Sequence, residues 1–316
     1  MLVSLKRWSA AAVILVSIVI VLGAYTRLKD AGLGCPDWPG CYGNLLAPTA
    51  DTKAWTEMIH RYVAGTLGIL VLIITFKTLQ AKTIRSDLWL LASFVLGLVV
   101  FQAALGMWTV TLRLYPLVVM GHLLGGFAIL ALLWLLYLRL KPGYLVPAVP
   151  LKIKILGICC LLLLTIQIAL GGWTSANYAA LVCADFPSCQ GSLWPPMDWR
   201  TAFNLTAVGI FDSPGVALEN TARVTIQMFH RLGAAITAIT SCIFMWQIFQ
   251  LAVKPLQRLA MMFIVLLIAQ IILGISNVLA RLPLAVSLAH NATAAALLIL
   301  LITILYRLND KSSSNQ

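Results

Sequence analysis

Charged side chains are scarce in this chain of 316 residues, where they make up only 10% of the sequence while hydrophobic residues make up 61%. Soluble domains carry roughly 25% charged residues, so this composition excludes an ordinary soluble protein. A bilayer core is spanned by about 20 apolar residues in a helix. The composition therefore predicts an all-α integral membrane protein.

Eight stretches are long and apolar enough to span a bilayer. They are residues 8–26, 57–79, 88–110, 117–139, 155–175, 224–252, 258–279 and 284–306. Lys6 and Arg7 precede the first stretch, as they would in a signal peptide, but no clear small-residue cleavage site follows it. We therefore expect an uncleaved membrane anchor at this end.

Acidic residues are nearly missing from one side of the predicted topology. With the N-terminus inside, the inner segments hold thirteen basic residues against two acidic ones, and the outer segments hold nine basic and eight acidic residues. Cytoplasmic loops carry an excess of Lys and Arg, so both termini are expected in the cytoplasm and the protein in the inner membrane. The net charge of +12 is then a topology signal, and nucleic acid is not expected as a partner.

Histidine is rarer still, with only four in the chain: His60, His122, His230 and His290. Each lies near the start of an even-numbered span, which puts all four at one depth towards the outer side. A single histidine in a membrane helix is usually a satisfied packing residue. Polar groups in lipid are costly and face the bundle interior, so four in this pattern predict two sites with two nitrogen ligands each.

The residue types near these histidines indicate which metal or cofactor they could bind. Zinc favours three or four clustered ligands, yet no Asp, Glu or Cys accompanies His122 or His290 at helical spacing. Copper would bring Met or Cys sulfur close. Two histidines from facing helices, flanked by glycines, suit axial ligation of a haem in a four-helix bundle. The adjacent Arg61 and Arg231 are candidates to bind haem propionates, and the alternative is that they snorkel to water.

The two halves of the chain repeat each other. Outer loops carry Cys35 and Cys41 in the first half and Cys183 and Cys189 in the second, with 148 residues between equivalent cysteines. Four helices separate the copies, so the repeats are parallel and predict two pseudo-symmetric four-helix bundles. We expect residues 1–143 and 144–308 as the two halves and a disordered polar tail at 309–316. On the oxidising side of the membrane, both cysteine pairs are expected as disulfides.

A shorter motif, Gln-x-x-Leu-Gly, recurs near the outer ends of the third, fifth and seventh spans. It begins at Gln102, Gln167 and Gln270, and the first span keeps only Leu22-Gly23. Small residues at these points let helices, or a flat ligand, approach the backbone closely. Ordinary helix packing through glycine remains the alternative.

The repeats differ at one ionisable position. Glu57 lies three residues before His60, and its counterpart before His230 is Gln227, which cannot ionise. This asymmetry predicts acid/base work at the first site and electron transfer alone at the second. The alternative is that Glu57 caps the start of its helix.

With these features together, the chain resembles the haem A synthase family, whose members oxidise a ring methyl group of haem O to a formyl group through hydroxylated intermediates. The resemblance rests on eight helices in two halves, both cysteine loops, Glu-x-x-His-Arg at 57–61 and the four histidines. It implies His230 and His290 as ligands of a resident haem b. It implies His60, His122 and catalytic Glu57 as the site that receives haem O, on the periplasmic side.

The resemblance also implies a Cys35–Cys41 disulfide, and Cys183–Cys189 fits a second one. Haem O, an electron donor and a haem O synthase are the expected partners, within a lipid bilayer. Two other functions explain part of the pattern. A bis-haem electron-transfer cytochrome linked to quinol needs the four histidines but not Glu57. A transporter with a histidine proton relay fits less well. Repeat transporters often have broken helices at mid-membrane, whereas the polar residues of this chain cluster near one face.

Overall fold

A computed structural model of the chain describes residues 2–80, 82–83, 85–141, 146, 148–205 and 218–309. Among these residues the regular secondary structure is entirely helical, without strands, and two isolated β-bridges lie in the outer loops. The helices are α1 (Leu2–Leu28), α2 (Thr52–Gln80), α3 (Ser86–Thr111), α4 (Pro116–Arg139), α5 (Leu151–Ala176), α6 (Trp199–Ala202), α7 (Asn220–Gln250), α8 (Lys254–Leu279) and α9 (Leu284–Asn309).

All of these helices except the four-residue α6 are candidate membrane spans, which confirms the prediction of eight. Most of them extend beyond the apolar stretches, and α2 begins at Thr52 instead of residue 57. Hydropathy marks only the part of a helix inside the hydrocarbon, whereas hydrogen bonding continues the helix through the polar interface. The short α6 was not expected from the sequence.

Large apolar side chains cover the outside of the spanning helices. Ile69, Phe76 and Phe94 each expose more than 60% of their surface, with values of 64%, 61% and 63%. A soluble protein rarely exposes apolar patches of this extent. The chain is a multi-pass membrane protein.

The chain divides into two compact units, of which unit 1 comprises Met1–Leu140, Ala176–Tyr178 and Phe203–Glu219. Its four helices contact one another in a closed ring, with α1 against α2 and α4, and α3 against α2 and α4. Each helix thereby presents one face to the interior of the bundle.

Unit 2 comprises Lys141–Ser175, Ala179–Ala202 and Asn220–Gln316. Here α8 packs on both α7 and α9. Helix α5 reaches α7 through Cys160, whose thiol lies 3.4 Å from the carbonyl oxygen of Thr240. A Cβ on Gly157 would collide with Phe244 of α7 and Leu305 of α9, so α5 approaches both helices closely at this glycine.

The end of α9 corrects one detail of the predicted tail. Asn309 is the last helical residue, and its side-chain amide donates to the carbonyl of Leu305. The remainder of the predicted tail, 310–316, lies outside the described residues.

Candidate haem-binding sites

The first histidine pair comes together inside unit 1. His60 on α2 and His122 on α4 have ring centroids 6.4 Å apart, with the ring planes at 80°. The Nδ1 atom of each ring is buried without a hydrogen-bond partner. A buried polar atom without a partner costs free energy, so the two rings are candidates to bind a ligand that the protein itself does not supply.

Glycines of the preceding helix lie against these rings. A Cβ built on Gly23 of α1 would be 3.1 Å from Cε1 of His60, and one on Gly106 of α3 would be 3.2 Å from Cε1 of His122. Both glycines belong to the Leu-Gly positions noted in the sequence. The rings therefore pack on bare backbone, which explains the small residue there better than general helix packing does.

Glycines lie against the rings of the second pair in the same way inside unit 2. A Cβ on Gly171 would lie 3.2 Å from Cε1 of His230, and one on Gly274 would lie 3.1 Å from Cε1 of His290. Each of the four histidines, at least one full turn inside its helix, thus has a glycine of the preceding spanning helix behind its ring. The Gly–His contact is the repeated unit of both sites.

Glu57 is buried, with 4% of its surface exposed, and lies in the second turn of α2. Its Oε1 is 2.5 Å from Nη2 of Arg61, and its Oε2 accepts the backbone N–H of Cys35 at 2.9 Å. The helix is capped instead by Asp51, whose Oδ1 accepts hydrogen bonds from the backbone N–H groups of Lys53 and Ala54. The capping interpretation of Glu57 is therefore wrong.

Gln227, the counterpart in α7, is equally buried at 4% exposure but has different surroundings. Its Oε1 has no hydrogen-bond partner. The two units thus place an ion-paired carboxylate and an amide with an unpartnered carbonyl oxygen at equivalent points. Only the first of these groups is ionisable.

Arg61 holds the first outer loop in place. Its Nη1 donates to the carbonyl oxygens of Asp37 and Gly40, at 3.0 and 2.6 Å, while Nη2 pairs with Glu57. A guanidinium group has five donors in a fixed fork, which suits it to several acceptors at once. Arg61 therefore connects the cysteine loop to the helix that carries His60.

Arg231 does the same for the second outer loop. Its Nη1 donates to the carbonyl of Ser188 at 2.7 Å and its Nη2 to that of Asp185 at 2.9 Å. Its Nε is buried without a partner. The structure gives both arginines loop carbonyls as partners, and their binding of propionates stays a prediction.

Both predicted cysteine pairs form disulfides, Cys35–Cys41 and Cys183–Cys189. All four cysteines are fully buried. The first bridge packs on Met58 of α2 and the second on residue 224 of α7. Each loop thereby covers the outer end of the helix that carries a histidine.

Aspartates hold the tips of these loops. Hydrogen bonds from backbone N–H groups, chiefly that of Gly43, lower the pKa of Asp37 below its ordinary value. The hydroxyl of Ser188 and the N–H of Gly191 lower the pKa of Asp185 to about 2. Both carboxyl groups are therefore ionised at neutral pH, where they accept hydrogen bonds from the loop.

Within the described parts of the chain, no group of three or more His, Cys, Asp or Glu side chains is placed to hold a bare metal ion. His60 and His122 instead form a pair, on apolar helices. This donor set suits a metal whose remaining coordination positions are already filled by a macrocycle.

A family model described as a cytochrome oxidase assembly protein matches residues 6–302. The chain belongs to this family. One member, the Heme A synthase of Shewanella oneidensis, is 45% identical over 316 aligned residues, which cover 94% of each protein. The Heme A synthase of Neorickettsia sennetsu is 24% identical over 93% of this chain and 96% of its own.

Three glutamines of this family member make contacts that the sequence pattern did not reveal. Gln102, Gln167 and Gln270 direct their side chains at histidine residues of the next spanning helix. The motif spacing pointed to these glutamines, but a polar residue before a Leu-Gly pair does not by itself indicate its partner. The contact depends on how neighbouring helices face each other.

Proposed function

We propose that this protein is a haem A synthase, which oxidises a ring methyl group of haem O stepwise to a formyl group. The observation that carries the proposal is the 45% identity to the Heme A synthase of Shewanella oneidensis over 94% of both proteins. In this proposal the N-terminal half, residues 1–143, binds haem O as substrate, and the C-terminal half, residues 144–308, holds a haem b.

The N-terminal pair fits a haem iron. Two metal–imidazole bonds of about 2 Å each, plus half the width of each ring, span a distance close to the 6.4 Å between the centroids of His60 and His122. Both rings have a buried nitrogen without a partner, and Gly23 and Gly106 supply flat backbone beside them. These residues would hold haem O by its iron.

The C-terminal pair, His230 and His290, would hold haem b as a permanent cofactor. Bound there, the haem would supply one-electron transfer. The chain's contribution is two imidazole rings packed on glycine backbone. The oxidation of the methyl group belongs to the N-terminal site in this proposal, because Glu57 lies there and its counterpart Gln227 cannot ionise.

Glu57 acts in this proposal as the acid/base group of the N-terminal site. It is the only buried carboxylate among the described residues. Arg61 and the N–H of Cys35 hold its two oxygens, so the carboxylate has a defined position three residues from His60. Gln227 cannot take this role, which leaves the C-terminal site to electron transfer.

We place the protein in the inner membrane with both termini in the cytoplasm and the haem sites towards the periplasm. The excess of basic residues in the inner segments and the two disulfides of the outer loops support this orientation. Matched turns support the parallel repeat of two four-helix bundles: φ is positive at Asp30 and Tyr178, 148 residues apart, and again at Arg113 and Arg281, 168 residues apart.

Pyridine haemochrome analysis of cells with and without the protein tests the reaction, in a host that makes haem O. We expect haem A only where the protein is expressed. A protein that binds haem but leaves the haem composition of the cells unchanged would instead be an electron-transfer cytochrome, the main competing function.

Histidine variants test the division between the halves. Changing His230 or His290 to Ala is expected to remove haem b from the purified protein, because each ring supplies one of two axial bonds. Changing His60 or His122 to Ala should retain haem b and abolish haem A formation. Absorption spectra and haem extraction measure both. Loss of haem b from the His60 variant with retention in the His230 variant would reverse the assignment.

A further inference from the structure

Cations occupy matched positions in the first turn of the two helices that carry His60 and His230. Lys53 lies seven residues before His60 on α2. Arg223 has the same spacing from His230 on α7. Seven residues are close to two turns, so each cation lies on the same helix face as its histidine, about 10 Å nearer the outer end. The first turn of a helix disfavours positive charge, so the stability of the helix explains neither residue.

Arginines occupy a second matched position, in the turns that lead into the other two histidine helices. Arg113 lies nine residues before His122, and Arg281 has the same spacing from His290. Their φ angles are 47° and 56°. In both turns the next N–H group bonds to a helix carbonyl five residues earlier, at 2.7 and 2.8 Å, as in a Schellman motif. This position favours glycine, so an arginine there in both units indicates a role for the side chain.

The four side chains at these positions share one property, since no hydrogen bond or ion pair among the described residues engages them. They are Lys53, Arg113, Arg223 and Arg281. Nε of Arg223 is also buried. A buried donor without a partner costs free energy, which favours a ligand that accepts from it. The arginines beside the histidines, Arg61 and Arg231, already donate to loop carbonyls.

A haem held by either histidine pair would turn its propionates towards this end of the bundle. His122 lies six residues, about 9 Å, from the start of α4 but seventeen residues, about 25 Å, from its end. Both propionates extend from one edge of the porphyrin, and a carboxylate in the apolar interior is costly. The shorter way to water passes the two cations of that unit.

We propose that two cations in each unit bind the propionates of the haem. They are Lys53 and Arg113 at the N-terminal site and Arg223 and Arg281 at the C-terminal site. In each unit, one cation comes from each of the two segments that lead into a histidine. Ammonium and guanidinium groups form charge-assisted hydrogen bonds with carboxylates. The two arginines beside the histidines then serve the outer loops. This inference rests on the function proposed above.

Titration with haem O and with its dimethyl ester tests the N-terminal site, in purified protein that carries haem b in its other half. The ester keeps the iron and the porphyrin but lacks the two negative charges. We expect the unchanged protein to bind haem O more tightly than the ester. Lys53→Gln and Arg113→Gln should each weaken binding of haem O about fivefold, the upper range for an exposed ion pair, and leave binding of the ester unchanged.

Lys29→Gln is the matched control, because it removes another exposed cation near the outer end of unit 1. It should bind haem O and the ester normally. A variant that loses affinity for both ligands equally has lost structure instead of a propionate contact, which would overturn the assignment of that residue. An unaltered preference for haem O in both variants would overturn the assignment at this site.

At the C-terminal site, the midpoint potential of haem b gives an independent measurement. A cation near the propionates favours the reduced haem, which carries less positive charge, so Arg223→Gln and Arg281→Gln are each expected to lower the potential. Transfer of haem b to excess apomyoglobin should become about fivefold faster. Arg200→Gln removes an exposed cation elsewhere in unit 2 and should change neither quantity. Potentials and transfer rates equal to those of the unchanged protein would contradict the assignment.

A cation also stabilises the C-terminal end of a helix, and a glycine variant separates that effect from haem binding. Arg113→Gly removes the charge but suits the left-handed turn better than arginine does. We expect this variant to unfold at or above the temperature of the unchanged protein while its affinity for haem O falls as in Arg113→Gln. A lower unfolding temperature together with normal affinity for haem O would show that the arginine serves only the helix end.

These results remain distinct from a failure of the proposed function, because binding and potential are measured without turnover. If the protein binds haem O and haem b but forms no haem A, the synthase function fails, while the ester comparison still decides the role of the cations. If haem A forms normally and the glutamine variants keep the full preference for haem O over its ester, the function stands and the propionate assignment is wrong.

Discussion

At the scale of single residues, the two halves differ most sharply at one pair of equivalent positions, 57 and 227. Glu57 is buried and held by a guanidinium group and a backbone N–H, whereas Gln227 keeps an unpartnered carbonyl oxygen at the equivalent position. A buried charge is retained at a cost that needs a compensating role. The ion pair with Arg61 offsets part of that cost, and proton transfer at the neighbouring haem site is the role we assign.

Glu57→Gln is expected to reduce haem A formation by a factor of about 100 or more, the range in which a general acid or base contributes to a rate. Its haem b content should stay normal, because the change is nearly isosteric and lies in the other half. Haem extraction and absorption spectra give both quantities. Gln227→Ala is the control and should form haem A normally. Normal product formation by Glu57→Gln would refute the acid/base role.

At the scale of helices, each of the four imidazole rings packs on a glycine of a neighbouring helix. Predicted Cβ contacts of 3.1–3.2 Å recur at Gly23, Gly106, Gly171 and Gly274. Ala is favoured over Gly in a helix by about 1 kcal/mol, so the four glycines are unfavourable for the helices themselves. Close approach of the ring to the backbone explains why they are tolerated.

Gly106→Ala should displace the ring of His122 by a few tenths of an ångström, because the new Cβ would meet Cε1 at 3.2 Å. We expect about a tenfold loss of haem affinity at the N-terminal site, the lower end of the range for disturbing the support of a metal ligand. Gly97→Ala, in the same helix, has nothing within 4 Å of the new Cβ and should bind normally. Haem titration of the purified variants compares the two, and equal affinities would argue against a ring contact.

The outer loops are a second recurring element. A short disulfide closes each loop, and an arginine next to His60 or His230 donates to the carbonyl oxygens of that loop. In unit 1 this loop also supplies the N–H that holds Glu57. The loop therefore takes part in defining the position of the carboxylate, in addition to covering the end of the helix.

At the scale of the whole molecule, charge decides the orientation in the membrane. Basic residues outnumber acidic ones strongly in the segments assigned to the inside and hardly at all in those assigned to the outside. Since Lys and Arg near the ends of spanning helices set the orientation, the cysteine loops are expected on the periplasmic face.

Cysteines placed on opposite faces test this orientation. Trp194→Cys introduces a thiol at a position that is 75% exposed in the second outer loop, and Lys82→Cys introduces one between α2 and α3. A thiol reagent that does not cross the inner membrane should label the first variant in intact cells and the second only after lysis. The unchanged protein gives the background, and the opposite labelling pattern would invert the topology.

Several features could be predicted from the sequence because they depend on composition and short spacing. Eight membrane helices follow from apolar stretches, and both disulfides follow from paired cysteines in loops on one side. The pairing of His60 with His122 also followed, because alternate spans of an antiparallel bundle start on the same face. These inferences need only the chain order and the period of a helix.

The tertiary structure alone decided which side chains meet. Gln167 and His230 are 63 residues apart and Glu57 and the N–H of Cys35 are 22 apart, so no local pattern indicates either contact. Helix rotation and loop folding determine these distances, and hydropathy fixes neither to within a hydrogen-bond length. The sequence thus determines where each histidine lies along its helix, whereas packing between helices decides which groups each ring contacts.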